Sequence, residues 1–210
     1  MYSSSKSLSF IALLFILVAF TNLQAQQDPK TGSGFRLVIM NDKQVSETVL
    51  EFDIYLQSTD AKVPFRFAMM QAGILVNPQI VNGGTITASI IPGSSELVED
   101  MQPRSIRFSA GCIKILSSLG KVDERYSKSD ERGVIIHAAV PGTRICRVRL
   151  TNSVAFGNAS ANLSFNFAIK PYPTKVAAYV SDYNTMLFCS EKNCLSEAGN
   201  KPLNDLHPKK

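Results

Sequence analysis

The chain has 210 residues, 22 Lys and Arg against 17 Asp and Glu, and 45% hydrophobic residues. That apolar share excludes a disordered or collagen-like chain and a many-spanning membrane protein, and the length fits one domain with a sizeable core. The net charge of +5 is mild, and apart from the terminal His207-Pro208-Lys209-Lys210 the cations form no cluster interleaved with aromatics, so no nucleic-acid footprint is expected.

Lys6 is the only charge before Asp28, and Leu8 to Phe20 is almost wholly apolar. Thr21-Asn22-Leu23-Gln24-Ala25 follows and ends on a small residue. A basic start, a short apolar run and a small last residue make a secretory signal peptide, with cleavage expected after Ala25. The run is shorter than the roughly twenty residues that cross a bilayer, and no later stretch reaches that length. The expected organisation is therefore a signal peptide over 1–25 and one domain over 26–210. Its core covers about 33–180, and a short tail covers 195–210. The mature protein is expected without a membrane span, in the periplasm, at the cell surface or outside the cell.

Beyond the signal the apolar pattern has a period of two. Leu50, Phe52, Ile54 and Leu56 alternate with Glu51, Asp53, Tyr55 and Gln57, the signature of a half-buried strand. Further strands are predicted at Phe35–Met40, Phe65–Val76, Thr85–Ile91, Ser105–Leu116, Val134–Val140, Cys146–Leu150, Leu163–Ile169, Lys175–Val180 and Thr185–Cys189. Breaks fall at Asn77-Pro78, Asn82-Gly83-Gly84, Pro92-Gly93-Ser94-Ser95, Pro141-Gly142 and Pro171-Tyr172-Pro173. No window holds a clean 3.6-residue period, and one short helix near Ser95–Met101 is the exception allowed. Nine or ten strands separated by turns predict an all-β antiparallel sandwich. Arg147 and Arg149 oppose Cys146, Val148 and Leu150 and are expected to face solvent. Lys121 to Gly133 mixes acids with Arg125, Lys128 and Arg132, which reads as a solvated hairpin loop rather than a calcium loop.

Export into an oxidising compartment bears on the four cysteines. Cys189 and Cys194 flank the polar turn Ser190-Glu191-Lys192-Asn193, short enough to bring two Cα atoms within disulfide reach, so a Cys189–Cys194 bond is predicted. Cys146 shares its phase with Val148 and Leu150, and Cys112 follows Gly111. For these two, a Cys112–Cys146 bond and two buried free thiols both fit. No metal site is expected, because neither histidine lies near the cysteine pair.

The series Glu51-Phe52-Asp53-Ile54-Tyr55-Leu56, Gln71-Ala72-Gly73-Ile74, Asn82-Gly83-Gly84-Thr85 and Gly93-Ser94-Ser95-Glu96-Leu97 continues with Gly142-Thr143-Arg144-Ile145, Leu150-Thr151-Asn152 and Asn162-Leu163-Ser164-Phe165. In this order the motifs resemble the cohesin-like sandwich, related to the carbohydrate-binding modules of families 2 and 3. The version they look like stands at the N-terminus of large secreted bacterial proteins that carry a type IX sorting tail. The resemblance spans roughly Ser33 to Val180 and implies a nine-stranded jelly roll that binds protein or glycan without catalysis. Around and after Pro202-Leu203-Asn204 no sorting tail is recognised, so none is expected in this chain.

No catalytic or cofactor signature stands out in the sequence. It has no Gly-x-Ser-x-Gly, no His-Glu-x-x-His, no phosphate-cradling glycine loop and no dinucleotide fingerprint. His137, inside Ile135-Ile136-His137-Ala138, is expected to be a packed strand residue. No cofactor and no catalytic residue are predicted. With no Trp in the chain, Tyr55 on the polar face of its strand and Tyr126 are the candidate ligand contacts, with Tyr172, Tyr179 and Tyr183 near loops. The expected function is a secreted binding or adhesion module with a protein partner. A carbohydrate-binding module is the alternative, and an enzyme with an unrecognised site is a third reading.

Overall fold

The computed structural model describes residues 34–62, 65–117, 133–180 and 183–206. The predicted signal peptide, most of the charged stretch after Lys121, Tyr126 and the terminal His207–Lys210 lie outside these residues. In chain order the strands begin with β1 Phe35–Ser46, β2 Val49–Ser58, β3 Phe65–Leu75 and β4 Ile86–Ile90. They continue with β5 Pro103–Ser109, β6 Cys112–Ser117, β7 Val134–Ile136 and β8 Thr143–Asn152. The last four are β9 Ser164–Phe165, β10 Lys175–Val180, β11 Tyr183–Phe188 and β12 Cys194–Ser196.

Two sheets form the sandwich. One has the order β12-β1-β2-β8-β4; the other runs β11-β10-β3-β6-β5, with β7 and β9 also pairing β3. All pairings are antiparallel except β1 with β12. Among the described residues the expected nine-stranded sandwich is present as nine strands of five residues or more, with β7, β9 and β12 as shorter additions.

Period-two alternation is what builds the core. Leu37 and Ile39 of β1, Leu50, Phe52, Ile54 and Leu56 of β2, and Val148 and Leu150 of β8 line one inner face. Phe65, Phe67, Met70, Ala72 and Ile74 of β3, Ile113 and Ile115 of β6, and Val176 of β10 line the other. Each large aliphatic or aromatic side chain fully buried here contributes about 1.5–3 kcal/mol.

The structure corrects the predicted elements in five places. Ser105–Leu116 is a hairpin: Ala110 and Gly111, at φ 52° and 70°, turn β5 into β6. The segment after Val134 leaves the sheet at Ile136, so His137 is an exposed residue past the strand end, where its carbonyl accepts the Ser58 N–H at 3.0 Å. The predicted helix near Ser95–Met101 is a 3-10 turn, Glu99–Met101. Of the tail expected over 195–210, the described part, Leu195 to Leu206, is packed onto the body: β12 runs beside β1, and Ala198 and Leu203 are buried.

The fifth correction has the largest consequence. Alternation predicts a strand through Ile169, but β9 ends at Phe165. β9 and β10 lie along the same edge of β3 as one interrupted strand, with Phe165 opposite Ile74 and Lys175 opposite Gln71. Between them the Asn166 N–H donates to the Gly73 carbonyl at 2.8 Å, and the Thr174 N–H donates to the Asn166 carbonyl at 2.8 Å. Residues 167–173 are thus looped out of a strand whose two halves stay in line.

Candidate functional site

On the outer face of the five-stranded sheet, acids and bases pair across β2 and β8. Register places Glu51 opposite Arg149, Asp53 opposite Arg147 and Tyr55 opposite Arg144. Arg147 grips Asp53 with two bonds, Nε to Oδ1 at 2.7 Å and Nη2 to Oδ2 at 2.9 Å, and Asn41 Nδ2 donates to Oδ2 at 3.1 Å. The Asp53 side chain has 0% exposure. Burial alone would raise its carboxyl, but the hydrogen bonds from Arg147 and Asn41 and the charges of Arg147 and Arg144 outweigh it and hold the group below the usual carboxylate range. Arg149 Nε donates to Glu51 Oε1 at 2.9 Å. Arg144 Nε donates to the Ser94 carbonyl at 2.6 Å. Both Arg147 and Arg149 therefore sit on the predicted outer side, but in cross-strand pairs.

Cys189 and Cys194 are joined, with Cα atoms 5.5 Å apart, and tie the end of β11 to the start of β12. Cys112 and Cys146 are both free and buried. Cys146 projects from β8 into the core, where burial and the nearby Asp53 charge push its thiol up to about 12. Cys112 projects from β6 on the other side of its sheet from Ile113 and Ile115. Burial pushes its thiol up as well, with the Lys114 charge opposing.

The seven-stranded sheet is charged differently. Its strands carry Arg66, Arg104, Arg107, Lys114 and Lys175 and no acid, with Arg104 paired to Asp100 just before β5, whereas the five-stranded sheet carries Arg36, Lys43, Arg144, Arg147 and Arg149 against Asp42, Glu51 and Asp53. The intervening stretch 118–132 is neutral in sequence, with Lys121, Arg125, Lys128 and Arg132 against Asp123, Glu124, Asp130 and Glu131. On the outer side, Gln71, Leu116 and Ser105 lie in one register row, Gly73, Lys114 and Arg107 in the next, and Leu75, Cys112 and Ser109 in a third. Leu75 and Leu116 are exposed.

The looped-out segment, here called the tongue, folds onto this face. A Cβ added at Gly73 would run into the Tyr172 carbonyl oxygen, so the close approach requires glycine. Thr174 Oγ1 accepts the Gly73 N–H at 3.1 Å and donates to the Gly73 carbonyl at 2.9 Å. Asn166 Nδ2 donates to the carbonyls of Ala168 at 3.2 Å and Tyr172 at 2.9 Å, and Asn166 Oδ1 accepts the Ala168 N–H at 3.2 Å. Gln71 Nε2 reaches the Pro173 carbonyl at 2.9 Å. Lys114 Nζ lies 5.9 Å from the centre of the Tyr172 ring. Burial raises the Tyr172 hydroxyl against the opposing charge of Arg107. Within the tongue, Phe167 is 40% and Ile169 85% exposed.

Tyr55 is on the outer face as expected, but only 8% of its surface is exposed, so it offers no ring face for a sugar. Tyr126 lies outside the described residues, and Tyr172 and Tyr179 are each partly buried. Among the described residues no group of three or more His, Cys, Asp or Glu is placed to hold a metal ion, and no helix is long and apolar enough to cross a membrane. The tongue was not foreseen: Phe167 and Ile169 continue the alternation of Leu163 and Phe165, and only Pro171-Tyr172-Pro173 signalled a break.

The described residues thus form a two-sheet β-sandwich in which one sheet pairs acids with bases across β2 and β8 and the other has cations but no acid on its strands. Among solved structures, the chain is similar to the second type II cohesin module of the cellulosomal adaptor scaffoldin ScaA of Acetivibrio cellulolyticus. That match has 13% identity, covers 83% of this chain and 98% of the other, and has a TM-score of 0.49. A type II cohesin–X-dockerin complex from the same organism matches at 13% identity, 80% and 99% coverage and a TM-score of 0.49. The sixth cohesin of its scaffoldin B, in complex with a dockerin, matches at 12% identity, 75% and 100% coverage and a TM-score of 0.40. No protein-family model and no curated protein matches the chain.

Proposed function

We propose that this chain is an exported, non-catalytic module that binds another protein through the outer face of its seven-stranded sheet. The observation that carries the reading is the difference between the two outer faces. On the five-stranded sheet, Glu51, Asp53, Arg147 and Arg149 neutralise one another. The strands of the other sheet hold no acid; Arg104 pairs with Asp100 just outside them, and Arg66, Arg107 and Lys114 stand with the exposed Leu75 and Leu116. An apolar surface set among charges of one sign suits an acidic protein surface, which would gain both burial and electrostatic steering. The burial of Tyr55 weighs against the glycan alternative, since stacking needs an open aromatic face. Export follows from the signal sequence that ends at Ala25.

Affinity capture from cell-surface extract, run beside a glycan array with the mature chain, tests the reading. Saturable binding to one protein and none to the array is the expected result. Saturable binding to a polysaccharide, or turnover of a substrate lost on changing one polar residue with the fold intact, would overturn it.

A further inference from the structure

We infer that the tongue, residues 167–173, is the anchoring element of this interaction face, and that Phe167 and Ile169 enter an apolar recess on an acidic protein partner. The inference rests on the protein-binding reading above and adds which residues carry the affinity.

Three features of the tongue point the same way. Both of its large apolar side chains face water, and Ile169 keeps 85% of its surface exposed, which stabilises nothing in the free protein. The same segment is fastened at its base by Asn166, Thr174 and Gln71 and needs a glycine beneath it at position 73. A loop held by side-chain bonds to buried backbone presents its tip with little ordering left to lose on binding. The tongue also meets the cationic face: its Tyr172 lies beside Lys114 and feels the charge of Arg107, and the tongue carries Lys170 itself. An anchor of Phe and Ile ringed by cations fits a partner with an apolar pocket rimmed by Asp and Glu. An anionic membrane is the competing occupant, but the sheet cations are spread across β3, β5, β6 and β10 rather than clustered as membrane-binding segments are.

The test uses the full exported chain as bait for a displayed library of random 16-residue peptides. Binding of the enriched peptides is then measured for the native protein, Phe167→Ser/Ile169→Ser and Arg107→Glu/Lys114→Glu, each checked for an unchanged fold by circular dichroism. Peptides mixing acids with large apolar residues should be enriched. The tongue variant should bind them about thirtyfold or more weakly, the loss expected of a hot-spot pair. Phosphatidylglycerol vesicles form the second arm and should bind none of the three proteins. Peptides lost on charge reversal but unchanged by the tongue variant would overturn the anchor while leaving the face intact. Enrichment of basic peptides, or of none, would overturn both readings. Vesicle binding lost with the tongue variant would replace the protein partner by a membrane.

Discussion

Asp53 is a buried carboxylate whose presence depends on one guanidinium. Removing Arg147 leaves the charge with Asn41 as its remaining side-chain donor, in a position with no access to water. Arg147→Ala should therefore destabilise by about 3 kcal/mol, the lower end for a broken buried pair, because Arg147 itself is partly hydrated. The pH dependence has a definite sign. The folded carboxyl lies below its unfolded value of about 4, so the pair's contribution is complete above that pH and is lost as pH falls through the lower folded value. Urea unfolding of the native protein and Asp53→Asn should differ at pH 7 and converge in acid; a difference unchanged at pH 3 would remove Asp53 from the account. The free thiols make a second case at this scale. Both are buried with thiols pushed up, Cys146 to about 12. Iodoacetamide at pH 8 should label neither Cys112 nor Cys146 in the folded protein, and both after unfolding without reductant. Failure to label them in the unfolded chain would mean that they are bonded.

At the scale of elements, the β5–β6 hairpin depends on two residues at positive φ, of which Ala110 alone has a Cβ to strain. Ala110→Gly should stabilise by about 1 kcal/mol, read as a higher urea midpoint at constant slope. The Cys189–Cys194 bond closes a loop with a sequence separation of 5, so its loss in Cys189→Ser/Cys194→Ser should cost about 2 kcal/mol. The same variant should speed amide exchange at Leu37, whose N–H donates to the Asn193 carbonyl at 2.7 Å. The long strands were legible because a two-sheet core imposes inward apolar residues at every second position, and β2, β3 and β8 follow it closely. What misled was alternation without pairing. Phe167 and Ile169 keep the phase of Leu163 and Phe165, but Asn166 turns its amide on the carbonyls of Ala168 and Tyr172 and takes the chain out of the sheet. Ile135 to Val140 runs on as an apolar string after its partner strand β3 has begun at Phe65. β12 is only three residues long and pairs in parallel with β1, a long-range contact that no local pattern announces. Tyr55 was placed on the correct face by its phase, yet its burial depends on neighbours across β1 and β8 that sequence spacing does not supply.

Taken whole, the molecule has two outer faces that differ in charge balance, and the difference extends over entire sheets. β2 and β8 set acid against base across one ladder, and Arg36, Lys43, Arg144, Arg147 and Arg149 of that sheet face Asp42, Glu51 and Asp53, a smaller cationic excess than on the other sheet. β3, β5, β6 and β10 carry only cations, with the tongue standing on them. Electrostatic steering toward the second face should make association salt-sensitive, since exposed charges are screened within about 10 Å at 0.1 M ionic strength. The most direct measurement compares affinity capture from cell-surface extract by three proteins: the native chain, Arg107→Glu/Lys114→Glu on the cationic face, and Thr87→Glu/Ser89→Glu on exposed β4 of the other sheet. The same captured protein should be retained by the native chain and the β4 variant and lost with the charge reversal at Arg107 and Lys114. Equal retention by all three, or loss with the β4 variant alone, would contradict the assignment of the binding face.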